Sequence, residues 1–351
     1  MPAITGGPGP YIYVCTRMRV RKAKLIQKDE YQRMLNMSLP EITRIIGETA
    51  YKQEIDELAT SFKGIDLIEV ALSWNLAKEY QKILEITPGT LKQFTRSYLR
   101  RWDIQNVLTI LRGKTQGIKH GKIKEILIPA GSLGRAMLDK LIAEDSVDRI
   151  IEALRGERMY PVLAAKIGEA KEIGSFSKME NELYRQFYAD VIAEAKSGIK
   201  GGELYLSFIR LDIDVMNIKT LFRLRADTFE EDPHEMFIAG GVLTVNDFVR
   251  LNVIKDHGEF IDALRMKVKQ KTLVSFLDEL KEKKKVHDIE MSLTRVQLDQ
   301  MERMSKLHPF SVHPILVYLE KKKYEVFNLR ALARGKESKL ASERISEHLV
   351  M

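Results

Sequence analysis

The chain has 351 residues, of which 44% are apolar and 30% charged, and its formal net charge is +8. This length exceeds the usual size of one hydrophobic core, so two or three domains are expected. The single cysteine, Cys15, excludes an internal disulfide framework and a cysteine-based zinc site and is typical of the reducing cytosol. The absence of any run of about 18 uncharged residues excludes a membrane-spanning helix.

The first 28 residues carry six basic side chains and no acidic one. Residues 1–10 are predicted to be a flexible start. The basic stretch after them runs straight into helical periodicity and lacks the serine content of a transit peptide, so it is interpreted as the basic face of a first helix. A positive net charge suits acidic protein surfaces, anionic lipid headgroups or nucleic acid, and does not choose among them.

Helical periodicity continues along the chain. Apolar residues at steps of three and four predict a long helix in the first third, at Ile65, Ile68, Leu72, Leu76, Tyr80 and Ile83. Proline- and glycine-containing breaks follow at 87–89, 113–121, 198–202, 230–233 and 308–309. No run of alternating β-branched residues indicates a sheet. The sequence therefore predicts an all-α fold of three helical domains, at 1–120, 121–231 and 232–351.

A repeat supports that division. Residues 103–112 recur at 214–223 and again at 325–334, each time 111 positions later, with apolar residues on one helical face. Three polar positions keep register in all copies: an acid (Asp103, Asp214, Glu325), an asparagine (Asn106, Asn217, Asn328) and an arginine (Arg112, Arg223, Arg334). If the three units close around a pseudo-threefold axis, they form a funnel or ring with a central opening.

A second block repeats with an offset of 110. Residues 128–155 match 238–265, and both begin with an Ile-x-x-Gly turn at Ile128 and Ile238. Residues 24–51 have a comparable rhythm and are a candidate first copy with poor residue matches. Each unit is therefore expected to open at such a turn and to close on the Asp-x-x-Asn helix.

The repeated polar positions are interpreted as structural. Each acid is expected to cap a helix start or to accept hydrogen bonds from a neighbouring turn, and each asparagine to bridge backbone groups. Each arginine is expected to pair with one of these acids across a unit boundary.

No catalytic, cofactor or metal site is predicted. Gly113-Lys114-Thr115 lacks the glycine that a phosphate-binding loop requires five positions earlier, and 130–134 lacks the first glycine of a nucleophile elbow. The seven histidines show no metal-ligand spacing, and His308 and His313 are assigned to capping or solvent exposure. Glu230, Glu231 and Asp232 are interpreted as a solvated loop.

Two other classes of function compete. A nucleic-acid binder interleaves aromatic and basic residues, but only Tyr11, Tyr13 and Tyr31 accompany the early basic stretch. A helical-repeat scaffold is the other alternative.

The ordered set of motifs resembles the C subunits of archaeal A-type ATP synthases and bacterial V-type ATPases, which are relatives of the eukaryotic d subunit. The residues that carry this resemblance lie at 11–13, 16–20, 48–51, 103–106, 112–114, 128–131, 214–225 and 328–336. The third copy departs most, with Glu325 for aspartate and Ala333 for an apolar residue of larger size.

The resemblance implies a funnel of three similar helical domains without catalytic residues. It further implies a monomer within a complex of several different subunits, on the cytoplasmic face of the membrane. There it would be a socket between the central shaft, formed by the D and F subunits, and the membrane ring of proteolipid subunits. Torque would pass through it between ATP chemistry and ion flow, and no nucleic acid would be bound.

Overall fold

A computed structural model describes residues 9–226, 232–268, 271–280 and 285–351. Within these ranges all regular structure is helical and no strand occurs, which confirms the all-α prediction. None of the helices in these ranges is both long enough and apolar enough to cross a bilayer. Residues 1–8 of the predicted flexible start lie outside the described residues, and the first helix, α1, is Gly9–Ala23.

After α1, the described helices form the same series three times, which we call repeats 1, 2 and 3. Each repeat has three short helices, a long helix, a second long element and a short closing helix. In repeat 1 these are α2 (Lys28–Met34), α3 (Leu39–Gly47), α4 (Lys52–Leu58), α5 (Gly64–Ile86), α6 (Gly89–Leu99) with α7 (Arg101–Thr115), and α8 (His120–Ile126).

Repeats 2 and 3 have one uninterrupted helix where repeat 1 has α6 and α7. Repeat 2 comprises α9 (Arg135–Ala143), α10 (Val147–Ala153), α11 (Tyr160–Ile173), α12 (Ser177–Lys196), α13 (Gly202–Ala226) and α14 (Pro233–Met236). Repeat 3 comprises α15 (Val245–Asn252), α16 (His257–Lys267), α17 (Lys271–Glu279), α18 (Val286–Leu307), α19 (His313–Glu337) and α20 (Ser342–Glu347).

Polar residues begin several of the short helices. At the start of α15 the Thr244 hydroxyl accepts from the Asp247 N–H at 3.2 Å, and the Asp247 carboxylate accepts from the Thr244 N–H at 3.0 Å. This reciprocal capping box satisfies two amides that the helix itself leaves unpaired. Before α10 the Ser146 hydroxyl accepts from the Arg149 N–H at 3.3 Å, which is the single bond of an ordinary N-cap.

The apolar stripe predicted for α5 is buried as expected. Ile68, Leu72 and Ile83 are fully buried, whereas Ile65 near the start of the helix is only half-buried. One face of a 23-residue helix is therefore removed from water, and this burial stabilises the helix more than its intrinsic propensity does.

The chain divides into two compact units. One comprises Asp29–Phe187 and Leu329–Ser342, and its core contains the buried aromatic residues Tyr51, Tyr80, Phe94 and Tyr98. The other comprises the described part of Met1–Lys28, Tyr188–Asn328 and Glu343–Met351, and its core contains Tyr188, Tyr205, Phe208, Phe237, Phe248 and Phe260. The three-domain division at 120 and 231 stays a prediction.

Candidate functional site

The repeated asparagines bind the backbone of a turn that follows them. In repeat 1, Asn106 Nδ2 donates to the Ile128 carbonyl oxygen at 2.7 Å, and the Ile128 N–H donates to Asn106 Oδ1 at 2.9 Å. Asn217 makes the same two bonds with Ile238, at 2.7 and 2.8 Å. A carboxamide carries a donor and an acceptor together, so it satisfies both backbone groups of one buried residue, which an ionised carboxylate cannot do.

The third asparagine makes the same pair of bonds with a residue near the end of the sequence. Asn328 Nδ2 donates to the Val350 carbonyl oxygen and the Val350 N–H donates to Asn328 Oδ1, both at 2.8 Å. All three asparagines are at most 3% exposed. Each therefore ties its long helix to a backbone segment 21 or 22 positions further along the chain.

The acid of repeat 1, Asp103, fixes the same turn at a second point. Its Oδ2 accepts from the Ser132 N–H at 2.8 Å and from the Ser132 hydroxyl at 2.6 Å, and its Oδ1 accepts from the Leu133 N–H at 2.8 Å. The carboxylate is buried, and burial raises its pKa although these hydrogen bonds act in the opposite direction.

Asp214 occupies the equivalent place in repeat 2. Its Oδ1 accepts from the Val242 N–H at 3.0 Å and from the Leu243 N–H at 3.1 Å. Burial raises the pKa of Asp214 to about 6, against the hydrogen bonds from Leu243 and Val242, which lower it. Asp214 therefore takes up a proton at a higher pH in the folded chain than a solvent-exposed aspartate does.

The glycine of each Ile-x-x-Gly turn makes room for this acid. A Cβ atom added to Gly131 would lie 2.1 Å from Asp103 Oδ1, and one added to Gly241 would lie 2.1 Å from Asp214 Oδ1. Any side chain at these positions would displace the carboxylate from the backbone amides. The repeated aspartate and the repeated glycine, separate observations in the sequence, are thus two sides of one contact.

In repeat 3 the longer acid finds its partners elsewhere. Glu325 Oε2 accepts from the Ile26 N–H at 2.6 Å, and Glu325 Oε1 accepts from Lys322 Nζ at 2.8 Å. Both members of this ion pair are buried, at 5% and 2% exposure of their side chains. The contacts made by a single turn in repeats 1 and 2 are therefore shared in repeat 3 between Ile26 and Val350, which lie far apart in the sequence.

The expected pairing of the arginines with the repeated acids is wrong. Each arginine is ion-paired with a glutamate on the fourth helix of a repeat, because Asp103 and Asp214 are already occupied by backbone amides. The pairs are Arg112 with Glu180, Arg223 with Glu290, and Arg334 with Glu69. The glutamates are themselves 111 and 110 positions apart, and this spacing is the signal in the sequence that identifies them.

A second, more buried contact accompanies two of these pairs. Lys219 Nζ donates to Thr294 Oγ1 at 2.7 Å, and the Arg330 guanidinium donates to the Ser73 hydroxyl. Burial lowers the pKa of Lys219 to about 8, with Lys323 adding to the effect. Lys219 and Arg330 are 111 positions apart, and the equivalent position in repeat 1 is the apolar Leu108.

Residues of the sequence segments that were rejected as functional sites make structural contacts. Lys114 Nζ donates to the Glu144 carbonyl oxygen at 2.8 Å, and Asp232 caps α14 by accepting from the His234 N–H. Glu230 and Glu231 lie outside the described residues. Among the residues that the structure describes, no three His, Cys, Asp or Glu side chains are grouped so that they could hold a metal ion.

Of the two alternatives expected for His313, solvent exposure is wrong, whereas the ring does meet a helix end: Nδ1 lies 3.3 Å from the Met304 carbonyl oxygen in the last turn of α18. His313 is fully buried at the start of α19, where Nε2 lies 2.7 Å from the Leu204 carbonyl oxygen and the ring stacks on Phe208. Burial lowers its pKa. The proline before it suggested a loop, but the helix begins at His313 itself.

Comparison with known proteins gives one consistent family. Residues 14–348 match the model of the ATP synthase (C/AC39) subunit family. The C subunit of the A-type ATP synthase of Methanosarcina acetivorans is 38% identical, covering 98% of this chain and 94% of its own length. The corresponding C subunits of Archaeoglobus fulgidus and Halobacterium salinarum are 33% and 32% identical, covering 99% and 98% of this chain and 98% and 99% of their own lengths.

Proposed function

The chain belongs to the ATP synthase (C/AC39) subunit family, and on that premise we propose that it is the central-stalk coupling subunit of a rotary A/V-type ATPase. In this role it links the rotor shaft, formed by the D and F subunits, to the membrane ring of proteolipid subunits. It transmits torque for ATP synthesis or ion transport and carries out no catalysis itself. It resides on the cytoplasmic face of the membrane as one copy in a complex of several different subunits.

The observation that carries this proposal is the order of the arginine–glutamate pairs. The arginine of repeat 1 pairs with repeat 2, that of repeat 2 with repeat 3, and that of repeat 3 with Glu69 of repeat 1. A series that returns to its first member is expected of three equivalent units around a closed pseudo-threefold axis. It supports three helical domains forming a funnel, a shape that grips a shaft without an active site.

The buried polar contacts support the mechanical part of the proposal. A body that transmits torque must resist bending between its helices. Asn106, Asn217 and Asn328 each fix a long helix to another backbone segment by two buried hydrogen bonds. Such fully satisfied buried networks rigidify the packing around them.

The contacts around the repeated acids argue against a hydrolytic role for the turns. The Ser132 hydroxyl donates to Asp103, which in turn accepts two backbone N–H groups, so neither group is placed to activate a substrate. A nucleophile would require a base that accepts its proton and an oxyanion site nearby. The repeated acids act on the protein's own backbone.

The test is binding of the purified chain to a purified D–F shaft subcomplex, with a salt titration and a nucleic-acid competitor. Stoichiometric binding that nucleic acid does not displace is the expected result. Failure to bind the shaft, together with salt-sensitive binding of nucleic acid, would replace the coupling role with a nucleic-acid-binding or scaffold role.

A charge-exchange series connects this test to the repeat closure. Arg334→Glu is expected to weaken shaft binding, and the added change Glu69→Arg is expected to restore it, because the pair is rebuilt with its charges exchanged. The matched control is Arg149→Glu, which breaks an exposed pair between Arg149 in α10 and Asp145 just before that helix and is expected to leave shaft binding unchanged. If Arg334→Glu and Arg149→Glu weakened shaft binding equally, the cause would be the change in net charge and not the loss of the pair between repeats 3 and 1.

A further inference from the structure

Helix α1 buries one face and exposes the other. Val14, Cys15 and Met18 are at most 1% exposed, and the Cys15 Sγ donates to the Ser311 carbonyl oxygen at 3.4 Å. Burial raises the pKa of Cys15 to about 11, so its thiol is neutral and serves as a packing group. One side of α1 is thereby fixed against the segment before α19.

The opposite side carries apolar residues that are unusually exposed. Ile12, Tyr13 and Val20 are 42%, 55% and 54% exposed. At 100° per residue, Ile12 and Val20 lie near one line of the helix with Thr16 between them, and Tyr13 projects at nearly the same angle as Val20, two turns earlier. We call Ile12, Tyr13, Thr16, Arg17, Arg19 and Val20 the outer face of α1.

Two arginines flank this apolar line on opposite edges. Arg17 donates to the Tyr13 hydroxyl at 3.0 Å on one edge. On the other edge Arg19 donates to the Pro309 carbonyl oxygen at 2.9 Å, and its guanidinium lies 5.5 Å from the centre of the Phe310 ring. Phe310 is 44% exposed and extends the apolar surface beside Arg19.

The electrostatic field around this face is positive. From residue 9 to residue 28 the chain carries six basic and no acidic side chains. Lys22, whose side chain points to the buried side, is ion-paired with Glu302. Arg17, Arg19 and Lys24 are exposed, so their charges face the solvent.

We propose that the outer face of α1 binds an anionic lipid surface. Helices that lie in a membrane interface place apolar and aromatic residues into the boundary between headgroups and acyl chains, with basic residues at the rim. Long basic side chains reach outward to lipid phosphates while their stems stay on the apolar surface. The narrow apolar line between Arg17 and Arg19 has this arrangement.

An acidic protein surface is the other partner that a positive face attracts, but it would not require an exposed apolar line in the middle of the charges. The inference is independent of the proposed rotary function, since it concerns the surface of one helix. If the chain binds vesicles but not the D–F shaft, the lipid-binding proposal stands and the proposed coupling role does not.

The experiment is flotation of the full chain with vesicles of phosphatidylcholine, alone or mixed with phosphatidylglycerol. We expect flotation with the mixed vesicles only, and its loss at high salt. The double variant Arg17→Gln/Arg19→Gln is expected to bind the mixed vesicles more weakly by roughly 5-fold per arginine. The variant Tyr13→Ser/Val20→Ser keeps the charge and is expected to bind more weakly as well.

The matched control is Arg149→Gln/Arg344→Gln. It removes two arginines of 68% and 65% exposure and changes the net charge equally, so vesicle binding should stay at the wild-type level. Circular dichroism checks that every variant keeps its helix content. Equal flotation with both kinds of vesicle, or equal loss in the control, would overturn the proposal. So would binding to soluble polyglutamate without binding to vesicles.

Discussion

Arg334 in α19 is ion-paired with Glu69 in α5, although 265 positions separate them in the sequence. The equivalent pairs that begin in repeats 1 and 2 span only 68 and 67 positions. The hydrogen bond and charge of Glu69 raise the pKa of Arg334. The long-range pair therefore has the chemistry of the short-range pairs and joins the last repeat to the first.

This pair should give a measurable coupling energy in a double-mutant cycle. We expect Arg334→Ala and Glu69→Ala to couple by about 0.2–1 kcal/mol in the free energy of unfolding, the range of exposed pairs, because Arg334 is 60% exposed. Urea unfolding of the wild type, both single variants and the double variant measures it. The control cycle combines Arg334→Ala with Glu48→Ala, an exposed acid on the same repeat as Glu69. Coupling of equal size in both cycles would contradict a specific contact.

Replacing the donor of a repeated asparagine should destabilise the fold. In Asn217→Asp the Ile238 carbonyl loses its partner and faces a carboxylate, so we expect a loss of about 1–3 kcal/mol in the free energy of unfolding. The same substitution at Asn246, an exposed residue at the start of α15, should cost little, since acids are favourable near helix N-termini. Chemical denaturation distinguishes the two, and equal losses would be evidence against the two-bond contact.

Adding a methyl group at the glycine beside the acid should also destabilise. We expect Gly131→Ala to lower the free energy of unfolding by about 1–3 kcal/mol, because the new Cβ overlaps Asp103 Oδ1. Gly168→Ala is the control, since Gly168 lies within α11 with open space around it. That change should stabilise by about 0.5–1 kcal/mol. A neutral result at Gly131 would mean that the turn can move away from the acid.

Protonation of Asp214 should stabilise the fold. Its pKa is raised from 3.8 to about 6 on folding, so between these values the folded state binds more protons than the unfolded state. Its contribution to stability is therefore largest below about 3.8 and is lost as the pH rises through about 6. Relative to Asp214→Asn, the wild type should gain free energy of unfolding as the pH falls across this range. A wild type that loses stability relative to the variant would show that the backbone amides outweigh burial.

Much of the local organisation was predictable from periodicity and spacing. The steps of three and four in α5 predicted its buried face, and the offset of 111 identified Asn106, Asn217 and Asn328 as equivalent before any contact was known. These features are predictable because they depend on one helix or on an exact repeat. Equivalent environments then require the same residue type.

The partners of the repeated residues were less predictable. An arginine forms an ion pair with any carboxylate in reach, so the spacing of Arg112 alone did not select Glu180 over Asp103. No Ile-x-x-Gly signal marks the partners of Glu325 and Asn328 in repeat 3, because these partners are Ile26 and Val350 and do not belong to one continuous segment. Only the folded chain brings such segments together.

A chain that bridges the shaft and the membrane ring must hold the two together when they are reconstituted from purified parts. The measurement is retention of purified D–F subcomplex on phosphatidylcholine vesicles that carry the purified proteolipid ring, with and without the chain, because the outer face of α1 is not expected to bind this neutral lipid. We expect D–F to be retained only when the chain is present, in stoichiometric amounts. We expect Arg334→Glu to reduce retention and Arg334→Glu/Glu69→Arg to restore it. Equal retention of D–F on the ring without the chain would contradict the coupling role.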